Sequence, residues 1–213
     1  MHRRNVKQEP PKPDSPWRDG FLFVGNHLAL DFLNTQPVQN GEVLELLPDF
    51  AALLRWFQAA KLLSAAEADK IEQRWGSSDR AQHTLEIAKE LRERLRKDVL
   101  AWEDGKEVHR STIIELNRLM AEYPMRTRLK ATLNALTKET WFATEQTEAL
   151  LSPLAHAAAG LFAEGERGRI RKCEQCVLHF QDTSKKGTRR WCSMQLCGNR
   201  LKVAAYAARK RSE

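Results

Sequence analysis

The chain has 213 residues, enough for one or two domains with a real core. At 42% hydrophobic and 30% charged it is neither collagen-like, mucin-like nor wholly disordered. Its net charge of +7 is unevenly placed: residues 166–213 carry 13 basic and 4 acidic side chains, a balance of +9, while residues 1–165 carry 22 and 24, a balance of −2. A near-neutral body joined to a compact cationic module with a polyanionic partner is the organisation this predicts.

Residues 1–20 are polar, contain Pro10, Pro11, Pro13 and Pro16, and lack the apolar run of a secretory signal, so a flexible arm and a cytoplasmic, thiol-reducing setting are expected. The longest apolar stretch, 150–163, is too short for a membrane span, and no membrane partner is expected. After the arm, FLFVG at 21–25 is a short apolar run, and GNHLALDFLNT follows without a decisive period. Asp49 can cap a helix from Phe50 to about Ala60 that buries Leu53, Leu54, Trp56 and Phe57. Ser64 and Glu67 form a capping-box signature for a helix to about Trp75. From about Asp79 to Glu103, Leu85, Ala88, Leu91, Leu95, Val99 and Trp102 recur at helical spacing. A further helix from about Glu107 to Glu122, a β-hairpin over 125–142 turning near Asn134, and an apolar helix from Gln146 to Glu164 complete a body spanning 21–165. The fold class expected is α+β, a mostly helical N-terminal domain with a small β component.

This body shows no phosphate-binding Gly-rich loop, nucleophile elbow or zincin motif, and His27, His83, His109 and His156 have no ligand-like spacing. No enzymatic activity is expected from it. The polar cluster Asn26, His27, Asp31, Asn34 and Thr35 lies among apolar residues, and it suits either a buried hydrogen-bond network or a ligand site.

All four cysteines lie in the cationic module: Cys173, Cys176, Cys192 and Cys197, a CxxC pair, fifteen residues, a third cysteine, four residues and the last. Four thiolates with no open position describe a structural metal site, with one Zn²⁺ the expected ion and a rubredoxin-like iron the rival. With few large apolar side chains in roughly 40 residues, the metal has to supply the core. A knuckle at Cys173–Cys176, a hairpin through Phe180 turning near Lys186 and Gly187, and a helix from about Leu196 to Arg211 give a treble-clef-like order. That helix gathers Asn199, Lys202, Tyr206, Arg209 and Lys210 on one side, and Lys185, Lys186, Arg189 and Arg190 add charge from the hairpin. Lys and Arg supply phosphate contacts, and Asn199 and Arg200 could reach base edges, or Arg200 could pair with Asp182 to brace the hairpin.

The run Cys197, Gly198, Asn199, Arg200, preceded by Arg189–Met194 and by Phe180, Asp182 and Ser184, resembles the CGNR zinc-finger family. GNHLALDFLNT resembles the opening of the ABATE domain, which precedes this finger in bacterial proteins described as stress-induced transcription regulators. The resemblance implies a bacterial DNA-binding regulator: an ABATE-like domain over 21–165 that senses a small-molecule effector or stress signal, and a finger over 166–213. An RNA-binding or protein-docking finger, and an enzyme with the finger as a targeting device, are the alternatives.

Overall fold

The computed structural model describes residues 15–39, 41–132 and 135–199. Six α-helices and four two-stranded antiparallel ribbons follow one another among these residues. The first ribbon pairs β1 (Trp17–Arg18) with β2 (Phe21–Leu22); α1 (Leu28–Leu33) follows, then β3 (Val38–Gln39) paired with β4 (Glu42–Val43). Next come α2 (Phe50–Ala59), α3 (Ala65–Trp75), α4 (Asp79–Glu103) and α5 (Arg110–Glu122).

The helix starts lie where local chemistry puts them. Asp49 Oδ1 accepts the Ala52 N–H at 2.7 Å, and Ser64 with Glu67 makes a reciprocal capping box, each satisfying N–H groups that the first helical turn leaves without partners. The 25-residue α4 runs through the middle of the body, with its stripe Leu85, Ala88, Leu91, Leu95 and Val99 buried against α1 and α2. Trp56, fully buried on α2, lies among the rings of Phe23, Phe32 and Phe57 at centroid distances of 5.3–6.2 Å and centres this core.

Three expectations are corrected. The segment from Gln146 is a 3-10 turn over Thr147–Leu151 followed by α6 (Ser152–Glu164), because Pro153 suits the first turn of a helix and clashes inside one. The arm expected over 1–20 does not extend to its end: Trp17 and Arg18 pair with Leu22 and Phe21, and residues 1–14 lie outside the described residues. Within the cationic module, the paired strands are β7 (Ile170–Lys172) and β8 (His179–Gln181), so the hairpin turn is the cysteine knuckle itself. The chain does turn at Lys186–Gly187, where Gly187 has φ +62°, but the return through 188–192 is no strand.

The hairpin at 126–141 forms as alternation predicts, β5 (Arg126–Ala131) against β6 (Leu136–Trp141), with Asn134 outside the described residues. Among the described residues its apolar face stays uncovered: Leu129 and Leu136 are each 71% exposed. Among the described residues no helix is long and apolar enough to cross a membrane.

Candidate metal centre

Cys173 and Cys176 stand on the β7–β8 turn, closed by the Cys173 N–H donating to Leu178 C=O at 2.8 Å. Cys192 precedes, and Cys197 lies within, a widened helical turn over Met194–Gly198 that Ser193 caps through the Gln195 N–H. The four Sγ atoms lie within 4.8 Å of one another, with Cys176–Cys192 and Cys192–Cys197 both at 3.7 Å. A disulfide needs about 2.05 Å. A tetrahedron of sulfurs about 2.3 Å from zinc has edges of about 3.8 Å, so the arrangement fits one zinc ion. His179, three residues after Cys176, is not among the clustered ligand atoms. Four thiols this close cannot ionise together unaided: hydrogen bonds from Cys176 and Cys192 hold Cys173 well below the usual thiol range, and Cys173 pushes Cys176 up to about 12. A divalent cation at their centre resolves the conflict.

The cysteines are packed as well as clustered. Leu178 and Phe180 from the finger and Leu22 and Val24 from the start of the chain share one apolar cluster with Cys173, Cys192 and Cys197. Ile170, also from the finger, belongs to the main core. The metal is therefore not the whole of the finger's core, since part of its apolar packing comes from the start of the chain and from the body.

The loop between β8 and the third cysteine is braced from within. Asp182 is buried and accepts the N–H groups of Ser184 (2.9 Å) and Arg189 (2.8 Å); burial favours its neutral form, but these bonds outweigh it and hold the carboxyl at about 2. The Arg169 guanidinium donates to the carbonyls of Asp182 and Ser184, and Arg171 donates to Gly187. These two bracing arginines were missed in the sequence, where they read only as charge. Among the proposed DNA contacts, Arg189 is half-buried, lies 4.5 Å from the Phe180 ring centre and donates to Trp191 C=O, so it braces the finger. Arg190 forms an exposed pair with Glu174 at 2.6 Å. Lys185, Lys186 and Asn199 are exposed, whereas Arg200, Lys202, Tyr206, Arg209 and Lys210 lie outside the described residues.

The cluster from Asn26 to Thr35 has a definite structural employment. Gly25 passes so close to α1 that a Cβ there would stand 2.8 Å from the Asp31 backbone nitrogen; its N–H donates to Asp31 Oδ1 at 2.7 Å and its carbonyl accepts from Gln181 at 2.8 Å. Asn26, in the left-handed region at φ +55°, donates to Gln181 C=O. His27 caps α1, and Thr35 Oγ1 bonds Phe32 C=O and the buried Arg92. Asn34, 1% exposed, donates to His179 C=O and accepts the His179 N–H, both at 2.9 Å. All five side chains have partners within the protein, and Asn26 and Asn34, helped by Gly25, fasten the body to β8 of the finger. Arg92, on the buried face of α4, was also missed as a structural residue: it pairs with Glu45.

Asp31 gives this seam a pH signature. Burial pushes its carboxyl up to about 6, against the pull of the Gly25 N–H and Arg18. The protonated form is preferred in the folded state, so its stabilising contribution is complete below about pH 4 and lost as pH rises through about 6. Asp31→Asn keeps an acceptor for Gly25 and removes the charge. Its stability advantage over wild type should grow from near zero at pH 4 to about 3 kcal/mol by pH 7.5 in urea titrations, and a pH-independent difference would refute this.

The ABATE family profile, described as "Putative stress-induced transcription regulator", matches residues 26–165, and the CGNR zinc finger profile matches residues 169–210. No curated protein matches the chain.

Proposed function

We propose that this chain, which belongs to the ABATE family and carries a CGNR zinc finger, is a zinc-dependent DNA-binding transcription regulator acting in the cytoplasm. Its N-terminal domain, residues 21–165, senses a small molecule or stress signal, and its finger, residues 166–213, binds DNA. The observation that carries the proposal is the charge balance of +9 on the segment that holds the four-cysteine cluster. Zinc supplies a structural cross-link when bound by Cys173, Cys176, Cys192 and Cys197. Those residues then fix the β7–β8 knuckle against the turn over Met194–Gly198.

Support also comes from the surface chemistry. Lys185 and Lys186 are exposed beside the cluster. The Arg190–Glu174 pair is solvent-exposed and therefore weak, so a phosphate can displace Glu174 at little cost. Arg189 is committed to Phe180 and Trp191, which leaves the recognition surface to the remaining cations and Asn199.

Mobility-shift titrations against fragments of the source genome test the proposal. Log K should fall linearly with log salt, by about 0.9 for every phosphate contacted. Neutralising Lys185 and Lys186 to Gln should flatten that slope by up to about 2, and neutralising Lys202, Arg209 and Lys210 by up to about 3. Unchanged affinity and slope after both sets would sink the proposed surface. Preference for single-stranded RNA in competition would transfer the activity to the RNA-binding alternative.

A further inference from the structure

A cavity of about 240 Å³ opens at the seam between body and finger. Val38 and Val43 of the β3–β4 ribbon, Leu100 of α4 and Val177 of the cysteine knuckle give it apolar walls. Arg96 and Glu93 of α4, Gln36, Lys172 of β7 and His179 of β8 supply polar groups. Lys172 and His179 are register partners across the β7–β8 pair, so they stand side by side.

His179 is the unexplained member. Its backbone is held by Asn34 and its side chain is buried, 1% exposed, yet neither ring nitrogen has a hydrogen-bond partner among the described residues. A neutral imidazole offers one donor and one acceptor, and native proteins almost always satisfy such buried atoms. Burial, then the charges of Arg96 and Lys172, pushes its pKa down to about 4, so at neutral pH the ring is uncharged and has both capacities. Arg96 donates through one terminal nitrogen to Leu33 C=O at 2.9 Å and pairs with Glu93 at 3.4 Å, but its Nε is buried without a hydrogen bond. Two buried groups with unpaired nitrogens, one of them cationic, border a cavity with apolar walls beside a second cation, and the two cations, Arg96 and Lys172, outnumber its one carboxylate, Glu93. That pattern matches a ligand pocket in which a few polar groups orient an apolar molecule.

We propose that this cavity binds a small organic carboxylate with an apolar body, its carboxylate accepting from Arg96 and the His179 ring and its apolar part lying against Val38, Val43 and Val177. The inference builds on the sensing role proposed above and gives it a place and a ligand class. Val177 adjoins Cys176 and Lys172 adjoins Cys173, so an occupant touches the α4 wall of the body and the metal-bearing turn of the finger at once. Binding there favours the arrangement in which the two are closed together, and by linkage changes the finger's affinity for its own partner.

Full-length zinc-loaded protein, titrated with benzoate, salicylate and hexanoate and with benzamide as the uncharged control, tests this by calorimetry and by NMR of ¹⁵N-histidine. Saturable binding with a shift of the His179 ring resonances is expected, at least about tenfold tighter for a carboxylate than for benzamide. His179→Phe keeps the shape and removes both unpaired nitrogens, so it should raise the Tm and weaken the best carboxylate by about tenfold or more. Leu100→Trp, made on a residue 36% exposed, fills the cavity from the α4 side and should abolish binding without disturbing the finger. No saturable binding by any of the three carboxylates, or equal binding by both variants, overturns the inference. Carboxylate binding by a protein that fails the DNA titration leaves the pocket standing and sinks the regulator reading; DNA binding without carboxylate binding does the reverse.

Discussion

Cys192→Ser should lose its zinc, falling from one ion per chain toward none by elemental analysis, and the finger should unfold with it. Cys192 is fully buried and its Sγ lies 3.7 Å from those of both Cys176 and Cys197, so its loss opens the tetrahedron. Structural zinc contributes on the order of 10 to 16 kcal/mol in small finger peptides at neutral pH, more than the few apolar side chains of this segment can replace. The damage should also cross the seam. Leu22 and Val24 pack in the same cluster as Cys192, so amide exchange should quicken over 17–24 as well as over 170–197, while α2 to α4, which pack around Trp56, keep their protection. Wild-type zinc content in the variant would overturn the ligand set. Unchanged protection at 17–24 would show that the shared cluster contributes little.

Asn34→Ala should cost about 2–5 kcal/mol in urea unfolding, among the larger effects open to a single polar residue. Its amide makes a paired contact with the His179 N–H and C=O, and both become buried without a partner when the side chain is cut back. Asn26→Ala makes the fitting comparison: Asn26 also reaches the finger, through Gln181, but it is exposed and water can replace it, so about 1 kcal/mol or less is expected. Equal costs at the two positions would contradict the assignment of Asn34 as the principal fastening. A faster exchange of the His179 amide in Asn34→Ala would confirm where the loss falls.

Local chemistry was legible in the sequence. The caps at Asp49 and Ser64, the stripe along α4 and the hairpin alternation at 126–141 all depend on residues within a few positions of each other, and they form as the spacing predicts. The four cysteines were legible for the same reason, because spacing and residue type together encode the ligand set. Partners distant in sequence were not. The polar character of Asn34 signalled a need for a partner, but that partner lies 145 residues away on β8. Arg92, on the buried face of α4, passed unnoticed among the charges of that helix, and its partner Glu45, 47 residues upstream, is one only the fold could supply. The finger seemed self-contained because its metal is local, while part of its apolar cover is not.

That cover has a consequence for synthesis. Leu22 and Val24 leave the ribosome about 150 residues ahead of Cys173, and at about 5–20 residues per second they wait on the order of 10 to 30 seconds for the surface they will join. The apolar edge of the earliest-made ribbon thus stays uncovered in the nascent chain until the finger has been synthesised, an exposure that a finger encoded beside that ribbon would not create.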